Sequence, residues 1–443
     1  MHSKRMTMAT TALVGALLAG CGSGGGDGGG SGSGGSGHQG SGTGASAVKL
    51  AVPAAYDGAK GWDQEIDWVP EDAATAPVAT DGETVASIVR SGSGYAVQAR
   101  DGATGKVRWT SASYRTPAVE DPEARWAMNT PGLTAVRQGG RTYFAAWAVG
   151  APDDALSTTK EVTQVTIYPA DASGSSVKPL HQLSVPDDHL RSGYVDVRDS
   201  GNGLLVRWES AGEQSVAVDA ATGSVTRYDG DTPPLPGCAD CTVDAVTPKG
   251  PVVSGKPDGP SVPGGWTGKG VAPKGVAGDA GGTVEGVRGG VLVADWQQAD
   301  DTDDSKPRIW SAHDLNSGRL LASTTCDSDP NDHTHRAVAS PNGTYLAYGP
   351  IVFDVKKGTA QCLAGDDSRR AVEILALADD GTAYGTTDDD SAGKPVIEVP
   401  AGSNTPKALT AGTLAPLATL TGAAVFTQRE NGRGLRLSVR MKR

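Results

Sequence analysis

The chain has 443 residues, a formal charge of −12 at neutral pH, 62 glycines and only 5 % aromatic residues. So acidic a body is not drawn by charge to DNA, RNA or anionic lipid, which excludes nucleic acid as an expected partner. The length is ample for a large core, and no later stretch matches the ~20 apolar residues that a membrane-spanning helix needs.

Residues 1–20 carry Lys4 and Arg5, an apolar stretch from Ala12 to Ala19, and small residues ahead of Cys21. The apolar stretch is too short to span a bilayer and reads as an export signal that is removed. Leu18-Ala19-Gly20-Cys21 resembles the lipobox of bacterial lipoproteins. The resemblance implies that Cys21 becomes the first mature residue with diacylglycerol on its sulfur, anchoring the chain to the extracytoplasmic face of the cell membrane. Two acyl chains, at ~0.8 kcal/mol per buried methylene, hold where one is marginal. Loss of Lys4 and Arg5 with the signal takes the formal charge from −12 to −14. Residues 21–47 continue as a Gly/Ser-rich tether, which spans about 25–30 Å as a flexible coil. The Gly- and Ala-rich, Phe-poor composition resembles that of exported actinobacterial proteins.

Residues 48–443 form the expected domain. Val85–Val89 is nearly all apolar, as in a strand buried on both faces, and Tyr95, Val97 and Ala99 fall on one side of an extended chain. Short runs of this kind between glycine-bearing turns predict an all-β fold. The turns repeat. "ARDGATGKVRW", "AVDAATGSVTRY" and "AHDLNSGRLLA" pair Asp101 with Gly105, Asp219 with Gly223, and Asp314 with Gly318. The aspartate can accept backbone N–H groups, and the glycine supplies the positive φ of a tight turn. Weaker copies are "YPADASGSSV", "VFDVKKGTAQ" with Asp354 and Gly358, and "IEVPAGSNTP".

The turn glycines 105, 174, 223, 318, 358 and 402 are separated by 69, 49, 95, 40 and 44 residues. The longest gap hides a degenerate copy, and the 69 holds one unit plus an insertion. A unit of about 40–50 residues with four strands is a β-propeller blade. The expectation is a single β-propeller of about eight four-stranded blades. Seven is the alternative, because Cys241–Gly275 reads mostly as loop. Strands left over at each end, including "GWDQEIDW" at Gly61–Trp68, predict that the N-terminal strand completes the C-terminal blade and removes the open edges.

Two stretches carry family resemblances. Asp101–Trp109 resembles the quinoprotein-type (PQQ-like) blade repeat, and "AVASPNGTYLAYG" (Ala337–Gly349) is similar to the repeats of WD-type and Tol-type propellers. The quinoprotein resemblance implies a noncatalytic assembly lipoprotein or a dehydrogenase holding pyrroloquinoline quinone and calcium on the ring axis. The ligand residues of the dehydrogenases have no one-by-one match here.

Standard nucleophile and phosphate motifs are absent from the sequence: no G-x-S-x-G, H-E-x-x-H or G-x-x-x-x-G-K-[ST]. Cys238 and Cys241 predict a small loop disulfide, with a redox dithiol or a zinc site as alternatives. Cys326 and Cys362 then pair by elimination, one of three formal connectivities. "CDSDPNDHTHRAV" offers Asp327, Asp329, His333 and His335 as weak metal ligands, calcium by its oxygens or another metal by the two imidazoles. The acidic stretches 299–307 and 386–393 read as solvated hairpin tips. Trp109, Trp208, Trp296 and Trp310 lie on strand patterns as inter-blade packing, whereas Trp266, in a Gly/Pro-rich loop, is the tryptophan expected to be exposed for recognition. The functional expectation is a noncatalytic binding or scaffolding module for a protein or glycan partner, with no cofactor. The alternative is a quinone- or metal-dependent oxidoreductase.

Overall fold

A computed structural model describes residues 47–70, 77–117, 130–151, 161–187, 195–208, 214–228, 241–255, 259–278, 281–299, 307–328, 336–387, 394–403, 405–429 and 434–443. Cys21, Cys238, Asp329, His333, His335 and most of the two acidic stretches lie outside the described residues.

Alternating strands and turns build a ring of antiparallel sheets in chain order, a β-propeller. The first blade holds Val78–Thr80, Thr84–Ser91, Gly94–Asp101 and Val107–Ser111. The second holds Gly132–Gln138, Arg141–Gly150, Glu161–Pro169 and His181–Asp187. The third holds Val195–Asp199, Leu204–Trp208, Ser215–Val218 and Val225–Tyr228. A two-stranded sheet of Thr242–Thr247 and Gly250–Ser254 follows. The fourth blade holds Thr283–Arg288, Val291–Trp296, Arg308–Asp314 and Leu320–Cys326. The fifth holds Val338–Ala339, Tyr345–Tyr348, Ile351–Asp354 and Thr359–Cys362. The sixth holds Val372–Leu377, Ala383–Thr387, Val396–Val399 and Lys407–Ala408. The seventh joins Ala418–Leu420, Ala423–Arg429 and Leu435–Lys442 to the N-terminal strand Tyr56–Ile66.

Seven four-stranded blades therefore replace the expected eight, as in the alternative reading. The missing blade is the two-stranded sheet. Beyond Ser254, positive-φ glycines at 255, 259 and 264 interrupt extended backbone. Among the described residues, the isolated bridges Val253↔Ser261 and Ser261↔Thr267 continue the ladder. The first blade gains a fifth strand, since Gly174–Val177 leaves the second blade's turn region and runs parallel to Val107–Ser111.

Within a blade, burial follows strand position. Thr84–Ser91, second in its sheet, is buried along most of its length, whereas Val107–Ser111 exposes Val107 and Arg108 and buries Trp109. A strand covered on both faces reads as a continuous apolar run. Trp109, Trp296 and Trp310 are fully buried and Trp208 nearly so, as expected of inter-blade packing.

The repeated turns join third to fourth strands and form as the spacing requires. Asp101 Oδ1 accepts from Thr104 N at 2.9 Å and Thr104 Oγ1 at 2.8 Å, and Gly105, at φ 72°, donates to Asp101 O at 2.8 Å. Asp219 accepts from Thr222 N at 2.7 Å, Asp314 from Ser317 N at 2.9 Å and Asp354 from Lys357 N at 2.8 Å. Gly223, Gly318 and Gly358 repeat the positive φ, between 70° and 74°. Arg108, 2.7 Å away, together with Thr104, holds the Asp101 carboxyl down at about 2.

Three of these turns also seat a ring from the preceding sheet. A Cβ on Gly105 would lie 2.5 Å from Trp62 Cγ, and Trp62 Nε1 donates to Gly102 O at 3.0 Å. His181 Nε2 lies 2.9 Å from Ala221 O, with its ring over Gly223. Trp266 lies over Gly318 and donates to Leu315 O at 3.0 Å. Trp266 is thus not an exposed recognition residue: it is 9 % exposed and packs with Val262, Leu292 and Trp296. The slot over Gly318 covers the ring, and the two-stranded sheet keeps through it the clasp of a full blade. Gly105→Val should cost roughly 2–4 kcal/mol from left-handed backbone strain plus the Trp62 clash, measured by chemical denaturation. A loss below about 1 kcal/mol would count against the clasp.

Closure occurs where the leftover strands imply, although the N-terminal strand starts at Tyr56 rather than Gly61. Gly61 pairs with Arg440 and Ile66 with Leu435. The Cys326–Cys362 disulfide joins the outermost strands of the fourth and fifth blades, with Cα atoms 5.5 Å apart. Cys241 is buried and disulfide-bonded.

Candidate functional site

First strands of successive blades lie against one another around the axis, as in the contacts of Val195–Asp199 with Gly132–Gln138 and of Val372–Leu377 with Ala418–Leu420. The turns between first and second strands converge on a cavity of about 150 Å³. Every full blade contributes to it, from Asp81 in the first to Leu417 beside the seventh. One wall is charged. Asp199 is buried and accepts from Gly201 N at 3.0 Å, and burial pushes its carboxyl up against the opposing pull of Arg288 and Arg137. Arg137 is exposed and donates to Asp81 O at 3.4 Å. The other wall is apolar: Leu375 and Leu417 line it while 36 % and 41 % exposed.

Bulges on the first strands aim three of the residues near the axis. Register slips by one residue at Asp244, at Glu285 and at Leu375, so each is the extra residue of a β-bulge. A bulge re-aims its side chain and ends regular pairing, which is why bulges cluster beside functional sites. Asp244 meets Arg207 at 3.3 Å, and its carbonyl accepts from Arg198 at 3.1 Å. Glu285 accepts from Tyr348 Oη at 3.2 Å.

Of the motifs read from sequence, Ala337–Gly349 reaches the cavity, through Ala337–Pro341 and Gly343. The Asp/Gly turns serve the outer hairpins. Asp327 is exposed, and among the described residues no group of three or more His, Cys, Asp or Glu side chains is placed to hold a metal ion. Among the described residues near the axis, Asp199 is engaged by backbone N–H groups and Asp244 by Arg207. Arg137, Asp199, Arg288, Leu375 and Leu417 were not legible beforehand, since only register and bulge position bring them together.

No protein-family model matches the chain, and no curated protein sequence does. Solved structures resemble it in fold. The WD40 domain of Toxoplasma gondii coronin aligns at 8 % identity over 87 % of this chain and 86 % of that one, with a TM-score of 0.36. The β-propeller domain of the Trilobed protease from Pyrococcus furiosus aligns at 11 % identity over 85 % and 95 %, TM-score 0.39. Acylaminoacyl peptidase from Pyrococcus horikoshii aligns at 10 % identity over 83 % of this chain but 50 % of its own length, TM-score 0.33. These likenesses are of fold alone.

Proposed function

We propose that the chain is a lipid-anchored lipoprotein of the extracytoplasmic membrane face whose propeller is a noncatalytic binding module for a protein partner. The lipobox-like segment ending at Cys21 and the Gly/Ser-rich tether support the anchoring. The observation that carries the binding role is the cavity mouth, where exposed Leu375 and Leu417 stand opposite Arg137 and Arg288. Exposed apolar side chains gathered at a concave, partly charged site mark an interaction surface. Among the described residues, the cavity lining contains no aromatic side chain on which a sugar ring could stack, so a protein segment suits it better than a glycan.

In the full chain, Cys21→Ser should move the protein from the membrane to the soluble fraction and block precursor processing. Retention at the membrane would refute the anchor. Cross-linked capture from membranes should recover a defined protein partner. Leu375→Glu with Leu417→Glu should weaken that capture by about tenfold or more, as two lost apolar contacts imply. Unchanged capture, or capture of glycan alone, would overturn the protein-binding reading.

A further inference from the structure

The innermost strand of the fourth blade carries a carboxyl where an ordinary strand would place none. Glu285 is the bulged residue, and its carboxyl lies beside that of Asp295 on the adjacent second strand, within reach of a hydrogen bond. Two ionised carboxylates cannot make such a bond, since neither has a donor. Asp295 is 1 % exposed; Arg308 Nε binds its Oδ2 at 2.6 Å, while with both groups ionised Oδ1 is a buried acceptor without a donor. One proton on Glu285 resolves this. It donates to Asp295 Oδ1 and leaves Glu285 Oε2 free to accept from Tyr348 Oη of the fifth blade.

We propose that Glu285 and Asp295 hold a single proton between them and form a pH-sensitive clasp joining the fourth blade to the fifth. The described groups facing the pair come from three sheets. Arg308 and Asp295 belong to the fourth blade and Tyr348 to the fifth. Asp244 of the two-stranded sheet adds a further negative charge, held in turn by Arg207 and Arg198 of the third blade. Arg308 balances one carboxylate of the pair, so loss of the proton leaves a second, half-buried charge beside Asp244. Like charges this close raise one carboxyl strongly, and burial, Asp295 and Asp244 together push Glu285 up to about 8. The folded state therefore holds this proton more tightly than the unfolded chain. The clasp is complete below the ordinary glutamate range and is lost as pH climbs toward 8.

The test is thermal unfolding of the full-length protein and of Glu285→Gln between about pH 6 and about pH 9. The wild-type midpoint should fall as pH rises. In Glu285→Gln the amide donates to Asp295 and accepts from Tyr348 without a titrating proton, so the fall should shrink by about half or more. An unchanged slope would overturn the proposal. A measurement on the wild type alone guards against a variant that does not fold. With glutamate carboxyls labelled by carbon-13, the infrared difference spectrum across that interval should show loss of an isotope-shifted protonated-carboxyl band. No such band in the wild type, or its persistence in a folded Glu285→Gln variant, refutes the shared proton.

Discussion

Replacement of Arg440 by methionine should destabilise the ring by about 3–5 kcal/mol, the range for removing one partner of a buried ion pair. Arg440 is 0 % exposed, at the seam where the two ends of the chain pair. Its guanidinium meets Asp63 Oδ1 at 2.8 Å and donates to Gly58 O at 3.0 Å and Trp62 O at 3.1 Å. Burial alone would raise the Asp63 carboxyl, but Ser438, the Val48 N–H and Arg440 outweigh it and hold the group below its ordinary range. This contribution is present above the ordinary aspartate pKa and fades as pH falls through the lower folded value. Arg440→Met removes the cation beside Asp63 and a donor from four backbone carbonyls, those of Val48, Gly58, Trp62 and Val439. Combining it with Asp63→Leu should recover much of the loss, because a well-packed apolar pair avoids the desolvation cost. Urea denaturation of the two single variants and the double variant checks this. A loss below about 1 kcal/mol for Arg440→Met, or additive losses in the double, would show that the seam does not depend on the pair.

Removing the Cys326–Cys362 disulfide should cost about 4 kcal/mol. The cysteines are 36 residues apart in sequence, and closing a loop of that length restricts the unfolded chain by roughly this amount. The bridge ties outermost strands of consecutive blades, where the fifth blade's strand Thr359–Cys362 has only four residues to hold it. Urea denaturation of Cys326→Ser with Cys362→Ser, beside the wild type with and without reductant, reads the difference. If reductant and the double substitution both leave the midpoint in place, the disulfide is not a staple of this seam.

Residues close together in the chain explain most of what was legible beforehand. Asp101 and Gly105 make their turn through atoms within five residues, and the same holds at Asp219, Asp314 and Asp354, so spacing alone located four outer hairpins. Closure was legible for a related reason: unpaired strands at both termini have one low-energy destination, each other. The blade number was harder. The Gly/Pro-rich stretch after Ser254 could be recognised as poor strand, but not that two isolated bridges would keep its place in the ring.

The misreading of Trp266 shows where local reasoning stops. Its neighbours look like loop, yet the surface that buries it is supplied by Gly318, more than fifty residues away and in the next blade. Trp62 and His181 follow the same rule. The chain by itself determined the repeat, the turn chemistry and the means of closing the ring, because these depend on short-range geometry and on counting strands. Tertiary structure alone decided which side chains meet near the axis. One-residue bulges at Asp244, Glu285 and Leu375 turn those residues out of regular register, and such a slip leaves no mark in an apolar–polar pattern until the partner strand is known.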